Sequence, residues 1–188
     1  DSQFRRGEFI EGASTYNYIL RLYSTQPDIV CVAKARLARC YVALEWAYDA
    51  EDILGKMKRD SITPKGVVEK ECTEAAYRIL TQQYKEAIPC LKTAIKATHE
   101  KVERARLNFL LGQLYRETGD NTQAYKALSK VRKASPPYEM SFNASILQTE
   151  VMPKSKFSQM LTRLKRMAKS DKNKNYLDQV YYVMGKIY

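Results

Sequence analysis

The chain has 188 residues, 45% hydrophobic and 28% charged, with only seven Gly and six Pro, a composition that fits a packed protein and excludes collagen-like and disordered classes. Its 32 Lys and Arg against 21 Asp and Glu leave a net charge of +11, which brings nucleic acid or an anionic membrane forward as partners before any motif is considered. The longest uncharged run is the ten residues 140–149, about half of the roughly 20 apolar residues that a spanning helix needs.

In chain order the sequence reads as a series of helical hairpins. The first unit, residues 1–27, carries Gly7, Phe9, Gly12, Tyr16 and Ile19 and shows a second helix only. The next, residues 28–64, has Leu37-Ala38 and Tyr41 on a first helix, then Glu45 at the turn, Ala50, Leu54 and Met57 on a second, and Pro64 beyond it. Residues 65–98 repeat the layout more weakly through Ala75, Tyr84, Ala87, Leu91 and Ala94; Arg78 stands where the other units have an aromatic. Pro89 there is expected to kink the second helix or to mark a late start. The fullest unit is 99–137, with Leu111-Gly112, Tyr115, Gly119-Asp120, Ala124, Leu128, Val131 and Pro136. Gly112 and Ala124 let two helices approach, Tyr115 fills the next turn, Gly119-Asp120 ends one helix and caps the next, and Pro136 stops the hairpin.

The fifth unit, residues 138–173, offers Phe142, Ala144 and Leu147, then Phe157, Met160, Leu164 and Met167. Met160 replaces the small residue, so this packing is expected to be looser or shifted. A sixth unit begins at 174 with Tyr181, Met184-Gly185 and Tyr188. The small residues of the second helices, Gly12, Ala50, Ala87 and Ala124, lie 38, 37 and 37 residues apart. Such a period marks a repeat architecture. About ten helices follow, in an all-α chain forming one solenoid over residues 1–188, cut within a repeat at both ends. Tyr181, Tyr182, Val183, Met184, Ile187 and Tyr188 would then be a sticky end, able to pair molecules weakly or in a crystal.

Residues with chemical potential are few. Cys31, Cys40, Cys72 and Cys90 contain no CxxC pair, and His99 is the single histidine, which disfavours a structural zinc. Cys31 and Cys40 share one helix, where nine residues rise about 13.5 Å, too far for a disulfide. All four cysteines are read as small buried hydrophobes. His99 sits in a polar helix–helix turn without a positioned nucleophile. No Gly-rich phosphate loop, carboxylate pair or ligand cluster stands out. The expectation is a non-enzyme without cofactor, metal or catalytic residues.

The Ala38, Ala50, Ala87, Gly112, Tyr115, Ala124, Pro136 pattern resembles the tetratricopeptide repeat, whose hairpins stack into a right-handed superhelix. The family period is 34, so three extra residues per unit fall in helix ends or loops. The resemblance implies a protein-binding groove lined by first helices, where Arg39, Arg106, Phe109, Gln113 and Arg116 project away from the second helices. These offer charge-assisted hydrogen bonds and one apolar anchor; alternatively, Phe109 packs between units and the arginines pair with Glu103 or Glu117. The clamp residues of members that bind chaperone tails have no match, since Ala35, Cys72 and Phe109 occupy their places.

A narrower resemblance is carried by residues 104–115, Ala124-Tyr125-Lys126, Pro136-Pro137-Tyr138-Glu139 and Phe142-Asn143-Ala144. It is similar to the SprE/PorW tetratricopeptide lipoproteins of the Bacteroidetes gliding-motility and type IX secretion machinery. This implies a protein-binding component of a secretion complex at the periplasmic side of the outer membrane, held by a lipid anchor outside this sequence.

The charge is local. Residues 1–125 carry 19 basic and 17 acidic residues, whereas 126–174 carry 12 and 3. Lys156, Arg163, Arg166 and Lys169 fall opposite Phe157, Met160, Leu161, Leu164, Met167 and Ala168 on a helical projection, which makes an amphipathic basic helix. Its basic face reads as a solvated outer surface, as a docking face for an acidic protein, or as a surface for anionic lipid or RNA. The leading reading is a protein-interaction scaffold; the alternative is a helical array binding RNA or an anionic membrane through this face. Nucleic acid is disfavoured, because the basic face lacks interleaved aromatics for base stacking.

Overall fold

The protein is described by a computed structural model covering residues 2–59, 62–134 and 136–188. Eleven α-helices and two 3-10 turns make up the described residues, with no strand. They are α1 (Ser2–Arg5), α2 (Phe9–Leu22), α3 (Pro27–Ala43), α4 (Ala47–Arg59), α5 (Gly66–Leu80), α6 (Tyr84–Ala97), α7 (Lys101–Glu117), α8 (Asn121–Lys133), α9 (Tyr138–Glu150), α10 (Phe157–Ala168) and α11 (Leu177–Ile187). The chain divides into two compact units, Asp1–Thr98 and His99–Tyr188, and the division falls where the sequence separates its third and fourth hairpins. His99 lies in the loop between α6 and α7.

What joins helices into hairpins is a backbone turn that repeats. Positive φ occurs at Gly7 (81°), Glu45 (60°), Gln82 (60°) and Gly119 (83°), spaced as regularly as the small residues and always five positions before one of them. After each, the next amide reaches back across the helix end: Glu8 N–H to Gln3 O (3.0 Å), Trp46 to Tyr41 (2.9 Å), Gln83 to Arg78 (2.7 Å) and Asp120 to Tyr115 (2.8 Å). This is the Schellman closure, which satisfies carbonyls orphaned at a helix end and reverses the chain. The sequence shows a turn glycine only at 7 and 119; Glu45 and Gln82 adopt the same conformation against the roughly 1–2 kcal/mol cost of a left-handed L-residue. The Gly7 turn also corrects the reading of the first unit as a lone second helix, because the short α1 precedes the turn and packs on α2. That raises the expected ten helices to eleven.

In the N-terminal unit α3 is the central element, packed on α2, α4 and α5, while α5 pairs with α6. Pro27 at its first turn starts α3, as the missing proline N–H permits. Its alanines allow close neighbours on several sides: Ala33, Ala35 and Ala38 are all buried. Tyr16 and Leu37 pack on one side, Ala50, Leu54 and Tyr77 on another, and Met57 on a third. Thr73 Oγ1 donates to Ala35 O at 3.1 Å, tying α5 to α3. Tyr77 supplies the buried aromatic that Arg78 does not; Arg78 lies over its ring and pairs with Glu74 at 3.0 Å. Helix α6 starts at Tyr84, five residues before Pro89, and continues through it to Ala97, so Pro89 does not mark a late start. The four cysteines are free thiols: Cys31 and Cys40 are buried, but Cys72 and Cys90 are only half-buried, contrary to the expectation of four core residues. Burial pushes the Cys40 thiol up from its ordinary range.

In the C-terminal unit α7 and α8 form the closest hairpin. A Cβ on Gly112 would stand 2.6 Å from Leu128 Cγ, so the glycine is required by the approach of α8. Ala124, Leu128 and Val131 are buried along that seam, with Tyr115 beside them. Asp120 caps α8 by accepting from Gln123 N–H at 3.0 Å, and α8 ends at Lys133, ahead of Pro136. The fifth hairpin differs. Among the described residues no left-handed residue separates α9 from α10; residues 151–153 and a 3-10 turn, Lys154–Lys156, connect them. Helix α10 packs mainly on α11, around Phe142, Met152, Met160, Leu164, Val180 and Val183. Val183 is buried there, which corrects its place in the proposed sticky end; Tyr181, Tyr182 and Tyr188 remain exposed.

Two outcomes test this architecture. Glu45→Gly and Gln82→Gly should each stabilise the chain by about 0.5 kcal/mol, while Gly119→Ala should destabilise it by about 1 kcal/mol, read from urea unfolding followed by circular dichroism. Gly112→Val should cost about 1–3 kcal/mol by overpacking, with part of that loss recovered when Leu128→Ala is added.

Candidate functional site

Helix α7 carries most of the predicted groove. Glu103 in its first turn and Arg116 in its last suit the helix dipole, and Thr118 Oγ1 closes its end on Leu114 O at 2.9 Å. The positions facing α8 and the core are Ala105, Leu107, Asn108, Leu111, Gly112, Leu114 and Tyr115. The residues between them, Arg106, Phe109, Gln113 and Arg116, follow spacings of three, four and three and form one strip along the helix.

Within that strip both arginines are committed to carboxylates. Arg106 Nη1 lies 3.2 Å from Glu103. Arg116 lies 2.8 Å from Glu117 and 2.9 Å from Glu150 of α9. Hydrogen bonding to Glu117, with the charge of Glu150 behind it, raises the pKa of the Arg116 guanidinium above its ordinary value. Phe109 and Gln113 lie between these pairs, half-exposed. Arg39 belongs to the other unit, on α3, where its guanidinium sits 5.6 Å from the centre of the Phe4 ring.

The predicted basic face divides. Lys169 is exposed just beyond α10. Lys156, Arg163 and Arg166 instead line a cleft of about 440 Å³ between α8, α9 and α10, opposite Arg132 of α8. Lys156 and Arg166 are exposed at this cleft, whereas Arg163 is half-buried and therefore not part of a fully solvated outer surface. Arg132 had no part in the predicted face, because it lies in the preceding hairpin; the only sequence signal that groups it with Arg163 is the charge excess spanning residues 126–174.

Among the described residues no three His, Cys, Asp or Glu side chains converge as a metal site, and no helix is long and apolar enough to cross a membrane. Residues 5–144, which hold α2 to α8 and the first half of α9, match the family described as "uncharacterized protein conserved in bacteria (DUF2225)". The chain belongs to this family. No curated protein matches it. The match to DUF2225 takes in the whole α7 strip and Arg132, while the other three cations of the cleft, Lys156, Arg163 and Arg166, lie beyond it.

Arg116 and Glu150 form an ion pair that joins α7 to α9. A double-mutant cycle with Arg116→Ala and Glu150→Ala should give a coupling of about 0.5 kcal/mol that shrinks in 1 M salt; zero coupling at low salt would show that the pair does not hold α9.

Proposed function

We propose that this protein is a non-catalytic protein-interaction scaffold, built as a right-handed superhelical stack of tetratricopeptide-like hairpins. The recurrence of one turn geometry carries the reading: four left-handed residues and four Schellman closures follow the interval of the small packing residues. Hairpins of this kind cannot bury their apolar faces alone, and they present rows of first-helix side chains to partners. In the α7 strip Phe109 is the apolar anchor and Gln113 the polar contact. Arg106 and Arg116, already paired, contribute orientation and a charged rim, since such pairs add little net affinity unless their partners are replaced. Arg39, on α3 of the other unit, is proposed as a contact residue of that unit by itself.

The cellular setting we propose rests on the resemblance of residues 104–144 to the gliding-motility and type IX secretion lipoproteins. The scaffold would serve an outer-membrane-associated secretion complex from the periplasmic side, with its lipid anchor in a part of the parent protein outside this sequence.

A photo-crosslinking amino acid placed at Gln113 of the full-length protein in its own bacterium should trap a discrete protein partner, whereas the same group at exposed Lys126 of α8 should not. Phe109→Ala should reduce the Gln113 adduct severalfold without loss of helicity. Equal adducts at both positions, or none at Gln113, would remove the α7 strip as the contact surface.

A further inference from the structure

The cleft between α8, α9 and α10 is lined, among the described residues, by four cations and no carboxylate: Arg132 from one side, Lys156, Arg163 and Arg166 from the other. Arg163 lies deepest. Its Nη1 donates to Gln148 Oε1 at 3.3 Å and its Nη2 to Ser145 Oγ. Both acceptors are neutral. Gln148 is itself oriented from behind, donating through Nε2 to Ser129 Oγ and to Tyr125 O at 3.4 Å, which turns its carbonyl oxygen toward the guanidinium. A guanidinium has five N–H donors, so two protein acceptors leave donors over. The charge is also uncompensated. Burial, and after it the like charge of Arg132, push Arg163 down to about 10. A desolvated cation beside a second cation is unfavourable unless an anion completes the set.

We propose that this cleft binds a phosphate group, as the free ion or on a small phosphomonoester, with Arg163 and Arg132 as the clamp and Lys156 and Arg166 at the rim. Four positive charges without a protein carboxylate call for an anion bearing more than one negative charge. Planar guanidinium forks match tetrahedral oxyanions in pairs. The volume, about 440 Å³, lies in the range of small-molecule sites and exceeds what a bare phosphate fills. Met160, buried at the cleft, and the Tyr125 ring provide apolar surface for an organic remainder. Walls from three successive helices favour a compact solute over an extended polymer. This site is separate from the α7 strip, so the two readings stand or fall independently.

The test is titration of the full chain with inorganic phosphate and with phenyl phosphate at ionic strength held constant by NaCl, followed by calorimetry and by the arginine side-chain NMR signals. Saturable binding with Kd in the millimolar range or below, together with a shifted Arg163 signal, is expected. Tighter binding of phenyl phosphate would assign a phosphomonoester, and equal binding the free ion. Arg163→Gln should weaken binding about tenfold or more, the scale of one charge-assisted contact. Arg132→Gln, at an exposed position, should do likewise with unchanged helicity, which keeps the test valid if the Arg163 variant fails to fold. No saturation by about 10 mM, full binding by both folded variants, or binding to RNA or anionic vesicles that phosphate does not compete would overturn the proposal.

Discussion

A helix that ends inside a protein leaves four carbonyls without intrahelical partners, and the chain must satisfy them before it can turn back. Here one solution is used repeatedly: a residue with positive φ, followed by an amide that reaches five residues back along the helix. Because this turn fixes the length and exit direction of the loop, it also fixes which residue of the second helix meets the first. The small residue five positions after each turn, Gly12, Ala50, Ala87 or Ala124, is buried for that reason. The geometry tolerates Glu45 and Gln82 as well as glycine, because the closed hydrogen bonds and the buried seam offset the strain of a left-handed side chain.

Where the turn is lost, the packing changes character. Between α9 and α10 the chain runs through Val151, Met152 and Pro153 into a 3-10 turn, and α10 settles mainly on α11 instead of closing on α9 as its partner. Leu164 and Met160 share a buried cluster with Phe142 of α9, and the long side chain of Arg163 adds the polar contacts to α9, at Gln148 and Ser145. A cleft opens along that side, walled by α8 and α10. Arg132 and Arg166, in the last turns of α8 and α10 and favourable there for the helix dipoles, both line it. A departure from the repeat thus goes with a basic concavity in the C-terminal unit.

The two surfaces differ in how their charges are met. In the α7 strip Arg106 and Arg116 each have a carboxylate within ion-pair distance, so the strip is electrically quiet and its remaining contacts are Phe109 and Gln113. In the cleft the cations face one another and neutral acceptors. Exposed pairs of the first kind are worth little to stability; a half-buried cation of the second kind has a cost that only an added anion removes. The first arrangement suits a broad protein contact, and the second suits a small charged ligand.

Helical class, hairpin spacing and the identity of the packing residues were legible in the sequence, because small residues at a fixed interval and apolar stripes of period 3.6 are local properties of the chain. So was the concentration of charge in residues 126–174. The left-handed turns at Glu45 and Gln82 were not, since neither residue type signals positive φ and only closure of the hairpin selects it. Nor could the sequence separate Arg163 from Lys169: both lie on one face of a helix, and only the placement of α10 relative to α8 and α9 carries one into a cleft with Arg132 and leaves the other in solvent. The Arg116–Glu150 pair and the burial of Val183 depend likewise on neighbours supplied by other helices. Sequence determines what each helix can present; tertiary packing decides which of those groups meet, because distance in space between charges and side chains is set by turns that the chain closes only once folded.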